Sequence, residues 1–135
     1  MGQQQLLLII LGVIIVGIAI AVGLSLFAAN SVQANRDAIV NDINNLAANA
    51  YQFRIRPVSM GGGGGVYDAT KGAAQAYSIP FKMSSNDNAT YTLVVAEPTV
   101  TFTGTSTANP SNGTVKADLD GNGKLSNFVF SGNFL

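Results

Sequence analysis

Cysteine and histidine are both absent from this 135-residue sequence. Without cysteine there is neither a disulfide framework nor a thiolate metal site. Without histidine as well, the commonest bases, nucleophiles and transition-metal ligands are missing, and any catalysis would fall to carboxylate, lysine or tyrosine groups. Charge is scarce too: seven Lys+Arg stand against seven Asp+Glu, only 10% of the chain. Such a balance gives no electrostatic footprint for nucleic acid or for an anionic membrane surface. The composition therefore removes most of the usual enzymes without excluding one.

What the chain does have is one long apolar run. Leu6 to Ala29 contains no charge and a single clearly polar side chain, Ser25; the first charged residue is Arg36. Beyond Asn30 the chain turns into a soluble polypeptide rich in Asn, Thr, Ser and Gly. Twenty-four residues at helical rise cover about 36 Å, enough to cross a hydrocarbon core of about 30 Å. A helix apolar on every face is not expected inside so small a soluble domain. Three readings compete for the run: a cleaved signal, a permanent single-span anchor, or a segment that first sits in a membrane and then forms the core of a filament. The start Met1-Gly2-Gln3-Gln4-Gln5 has no Lys or Arg, and the run is longer than the apolar part of a typical signal. Gly17 and Ala21, Ala19 and Gly23, and Ala21 and Ser25 have the small-xxx-small spacing that lets helix backbones approach. Leu7, Leu11 and Ile15, with Gly17, Ala21 and Gly23, are the expected packing positions of a filament core.

The helical pattern continues past Asn30. Val32, Ile39, Ile43, Leu46, Ala50 and Phe53 form an amphipathic stripe. Asn35, Arg36, Asp37, Asn41, Asp42, Asn44, Asn45 and Asn49 are expected on its wet side. Pro57 should stop the helix near Arg56, giving one helix of roughly 50 residues, about 75 Å long. Arg54 and Arg56 would suit the negative end of its dipole, or reach an acid such as Asp37 or Asp42 on a neighbouring subunit.

Gly61–Gly65 is a run of five glycines without the strand, helix and Lys-Ser/Thr of a phosphate loop. It is expected to be a tight loop of close backbone approach or a flexible connector. Tyr67 to Met83 reads as irregular, with Ile79-Pro80-Phe81 a candidate edge strand. Thereafter the period is two. Tyr91, Leu93 and Val95, then Val100 and Phe102, then Val115, Ala117 and Leu119, then Leu125, Phe128 and Phe130 mark four strands. Turn signals fall at Glu97-Pro98, at 109–113 and at Gly121-Asn122-Gly123. The expected fold is α+β, with residues 1–29 an apolar helix and 30–56 its amphipathic continuation. Residues 57–88 form a Gly-rich connector, and 89–135 an antiparallel meander of about four strands. Val32, Ile39, Ile43, Leu46 and Phe53 should hold the helix to one face of the sheet, leaving a Thr-rich face wet.

Two patterns could carry chemistry on the hairpin and its neighbours. Asp118, Asp120, Asn122 and Ser126, with Gly123 at the sixth place, resemble the start of a calcium loop, but Val129 replaces its bidentate glutamate. A weak calcium site is one reading; an Asn-Gly β-hairpin turn is the other. Asn88 and Asn112 each begin an N-glycosylation tripeptide, and Thr99 to Thr107 would suit either O-linked sugar or strand propensity. No cofactor other than calcium is suggested.

In layout the chain resembles the type IV pilins: a very short leader, a long helix with an apolar first half, then a small antiparallel sheet. The likeness rests on residues 2 to 56. Pilin precursors are cut by a prepilin-type peptidase after a glycine just before the apolar run, and Gly2 occupies such a place, so that Gln3 would become the N-terminus. The family usually has a glutamate shortly after that point, pairing with a neighbour's terminal amine. Here Gln5, Leu6 and Leu7 stand in that region, and hydrogen bonds from Gln3, Gln4 or Gln5 could substitute, less strongly than an ion pair; archaeal pilins and other divergent filament proteins also lack that glutamate. The resemblance implies a homopolymer, an inner-membrane assembly machine as partner, a membrane-inserted stage and a final place on the cell surface. The competing expectation is a membrane-tethered binding module, or a minor pseudopilin of a secretion system.

Overall fold

The computed structural model describes residues 2–69, 72–73, 75–107 and 113–135. One helix, α1, runs unbroken from Gly2–Ile55, 54 residues, and so is about 81 Å long. Nothing in its sequence stops it earlier: it holds no proline, and Ala, Leu and Gln are strong helix formers. Pro57 ends it, because the residue before a proline is pushed out of helical conformation.

The helix end is closed by the glycine run. The last carbonyls of a helix lack partners of their own. Here the Gly63 amide donates to Phe53 O at 2.7 Å, Gly65 to Arg54 O at 2.7 Å and Gly64 to Arg56 O at 2.9 Å. Gly63 is buried, and a Cβ there would collide with the Val66 carbonyl oxygen, so the loop folds back as only bare backbone allows. The five glycines are thus the tight loop of the two alternatives, acting as a cap.

The sheet is a four-stranded antiparallel meander in the order β1 (Ala89–Ala96), β2 (Thr99–Ser106), β3 (Thr114–Leu119), β4 (Leu125–Ser131). With the long helix it makes an α+β fold. The register places Ala89, Tyr91, Val100, Phe102, Val115, Ala117 and Leu119 on the inner face, all buried. They meet Ile39, Ile43, Leu46, Ala47, Ala50 and Phe53 of α1 in a single core. Val32 packs at its edge, only partly buried. Gly104 lets the sheet come this close, since a Cβ there would stand 2.7 Å from Ile39 Cγ2. On the outer face, Thr90 pairs with Thr105, Thr92 with Thr103 and Thr103 with Lys116, an alternation that leaves hydroxyls and charge to water.

Three local expectations need correction. Ile79-Pro80-Phe81 is not a strand: Ile79 and Pro80 have no ladder partners, and Phe81 begins a 3-10 turn, Phe81–Met83. The last strand is not evenly apolar inward. A bulge opposite Ala117, with Asn127 at φ 54°, shifts the register, and Phe128 and Val129 stay exposed while Phe130 is half-buried. The polar side of the amphipathic helix is not wholly wet either. Asn35, Arg36, Asp42 and Asn49 are half-buried, because the connector and the sheet wrap further round α1 than its apolar stripe.

Candidate functional site

Two surfaces of the chain invite a functional reading: the bare half of α1, and the seam where its other half is clasped. Every residue from Gly2 to Ser31 is exposed. Sixteen large apolar side chains between Leu6 and Phe27 are each at least 53% accessible, Leu7 at 67%. Leu11 and Ile15 are exposed in the same way, as is Ala21, and no atom lies within 4 Å of a Cβ built on Gly17 or Gly23. Consecutive residues are 100° apart on a helix, so the bare surface runs all the way round, and one groove could not cover it. Covering it would recover on the order of 1 kcal/mol per side chain, a large driving force. Among the described residues α1 is the one helix long and apolar enough to cross a membrane. Gly2 and Gln3 lie exposed in its first turn, which has no acidic residue.

The clasped half carries a polar stripe that the sequence reading placed in water. Asn35, Asp42 and Asn49 are seven residues apart, and so fall within about 20° of one another per step. Asn35 donates to Asn88 O at 3.2 Å and accepts from Ser106 Oγ at 2.6 Å. Asp42 Oδ2 accepts from Tyr91 OH at 2.5 Å and from Asn86 Nδ2 at 2.8 Å. Asn49 Oδ1 accepts from Tyr77 OH at 2.8 Å. Arg56, one residue past the end of α1, is exposed beside a hollow of about 210 Å³. A second hollow of about 200 Å³ lies between Asp42, Asn45, Lys82 and Met83.

Three tyrosines on this seam are buried with their hydroxyls bonded. Loss of hydration pushes Tyr67 up to about 12, with the Arg54 charge pulling the other way. Burial likewise raises Tyr77 and Tyr91, the latter also because it donates to the Asp42 carboxylate. Each is therefore a neutral donor near pH 7 and a poor proton acceptor. Tyr67 and Tyr77 were not legible as core residues; their flanks show no period.

At the far end of α1, Arg54 pairs with Glu97 at 3.2 Å, and the other Glu97 oxygen accepts the Tyr67 amide at 2.7 Å. The Arg54 guanidinium also lies 5.0 Å from the Tyr67 ring centre. Of the two arginines expected at the helix end, Arg54 is thus spent inside the chain, and so is Asp42, one of the acids proposed for a neighbour. Arg36 lies 4.0 Å over the Phe130 ring.

The calcium pattern falls on the β3–β4 hairpin. Asp120 Oδ1 accepts from the amides of Asn122 and Lys124, both at 2.9 Å, and the Lys124 amide foremost holds its carboxyl below the usual range. Asp118 accepts from Thr101 Oγ1 at 2.7 Å and from Asn127 Nδ2 at 3.1 Å. These are bonds of a turn and of a strand pair. Asn122 is exposed and Ser126 half-buried, and no group of three or more acidic residues gathers among the described residues. Asn88 is half-buried just before β1, with its backbone bonded on both sides. Asn112 lies outside the described residues. Comparison with protein-family models, with curated proteins and with solved structures finds no match.

Proposed function

We propose that this protein is the structural subunit of a pilus-like filament, anchored in a membrane before assembly and held in the polymer by its apolar half-helix. The observation that carries this reading is the abrupt change along one continuous helix. From Gly2 to Ser31 it is bare on all sides, and from Val32 onward it is bound to its own sheet. A soluble head on a stiff apolar stalk suits a helical array in which stalks bundle inside and heads form the shell. Heterologous contacts of this kind propagate without closing. The role is mechanical rather than catalytic, in keeping with neutral buried tyrosines and carboxylates engaged in structural bonds. A prepilin-type peptidase acting at Gly2 and Gln3, an inner-membrane assembly machine and a cell-surface destination belong to this reading.

A second reading is favoured by the length of the apolar run, which matches a bilayer: a single-span tether displaying the head, or a minor pseudopilin. Electron microscopy of the sheared surface fraction, with mass spectrometry of the intact chain, separates the two. Thin filaments of this chain that retain Leu6 to Ala29 are expected. Full-length chain confined to membranes would move the assignment to the tether, and soluble chain beginning near Asn30 would make the run a signal.

A further inference from the structure

The polar stripe of α1 ends beside an arginine that lies one residue past the helix. Asn35, Asp42 and Asn49 each bond to the connector or the sheet, but Arg56 has no carboxylate partner among the described residues. It stands beside a hollow lined by Asn49, Phe53, Gln75, Tyr77, Ser78 and Pro80. The hollow is roomy enough for a short side chain, and Asn49, the last residue of the stripe, forms part of its wall.

The opposite end of the stripe presents an acid. Asp87 is exposed, and its position is fixed: Asn86 is bonded to Asp42, the Asn88 carbonyl to Asn35, and the Asp87 carbonyl accepts from Thr107 Oγ1 at 3.2 Å. Its carboxylate makes no ion pair among the described residues. Asp37, the other exposed acid of this end, lies two residues beyond Asn35 and hence about 200° round the helix, on the wrong side. Asp87 and Arg56 therefore sit at opposite ends of the stripe, roughly 20–30 Å apart along α1.

We infer that Arg56 and its hollow receive Asp87 of a second copy of this chain, stacked head to tail along the helix direction. The inference rests on the filament reading and specifies one of its contacts. A shift along the axis brings the two charges together on the same side, and the same shift repeats without closing. The occupant is another copy because the complementary charge is already carried, exposed and unpaired among the described residues, by the chain itself. The ion pair would fix the axial step between subunits, while the apolar stalks supply the adhesion.

Because the chain has no cysteine, the contact is directly testable in assembled filaments. Arg56→Cys and Asp87→Cys in one chain are too far apart to bridge within it. Treatment of the polymer with a short bismaleimide is expected to give a ladder of dimers, trimers and higher species for the double variant only. Arg56→Glu and Asp87→Arg should each lower filament yield by at least about tenfold, and the double exchange should restore most of it. Filaments that form normally but give no ladder and no rescue would overturn this contact and leave the polymer intact. Cross-linked dimers from either single cysteine would replace it with a symmetric contact. If the unaltered chain forms no filaments, the polymer reading fails and this contact with it.

Discussion

Arg54 and Glu97 meet at 3.2 Å although 43 residues separate them, and this one contact ties the last turn of the helix to the turn between β1 and β2. Glu97 uses its second oxygen for the Tyr67 amide, so three segments converge on one carboxylate. Both side chains are largely shielded, at 19% and 12% accessibility, which places the pair above an ordinary surface salt bridge. Glu97→Ala is expected to destabilise the head by about 2–3 kcal/mol, because it strands both a guanidinium and a buried amide. Thermal unfolding of the detergent-solubilised chain, followed by circular dichroism, checks this. A loss no larger than that of Lys116→Ala would show that the convergence contributes little.

Gly63→Ala should damage the helix cap far more than Gly12→Ala damages anything in the single chain. A Cβ at Gly63 meets the Val66 carbonyl, whereas at Gly12 it meets nothing within 4 Å. The expected cost at Gly63 is about 2–4 kcal/mol, while helix propensity at Gly12 gains up to about 1 kcal/mol. Equal unfolding midpoints for the two variants would refute the cap.

Leu11→Asp or Ile15→Asp is expected to leave the head folded and to abolish filaments. Both residues are more than half exposed in the lone chain, so the charge costs the fold nothing, yet it has no place in a dry bundle. Filament counts in sheared material, beside protease resistance of the head, provide the two readouts. Undiminished filaments would count heavily against an apolar core.

Alkali should unfold the head through its tyrosines. Tyr67 is raised from 10.0 to about 12, and Tyr77 and Tyr91 are raised as well. A raised folded value means that the stabilising contribution is whole below pH 10 and is lost as pH rises toward 12, since the unfolded chain gives up its protons first. The slope is up to about 1.4 kcal/mol per pH unit for each tyrosine that stays protonated. Tyr77→Phe should flatten the decline by its own share. Asp120 works in the opposite direction: its lowered value adds stability above the ordinary carboxylate range, and this is lost as pH falls through the folded value.

Much of this architecture was legible because it repeats. Ile39, Ile43, Leu46, Ala50 and Phe53 keep a helical period, and the alternation of Tyr91, Val100, Phe102, Val115 and Leu119 announces the strands. The seam was not legible for the same reason. Asn35, Asp42 and Asn49 are polar residues beside an apolar stripe, and by type alone such residues belong in water. The burial of Asp42 and Asn49 depends in part on Asn86 and Tyr77, contributed by a connector with no period of its own. Likewise Asn127 looks like any strand residue, and only its positive φ discloses the bulge that turns Phe128 outward.

The unbroken run of α1 has a mechanical consequence. With no proline and no joint between the bare half and the clasped half, the helix behaves as a lever. A tilt of about 10° near Asn30 would swing Ile55 sideways by roughly 6–7 Å, given 1.5 Å of rise per residue. Whatever surrounds the first thirty residues therefore steers the head directly, and load applied to the head returns along the same rod.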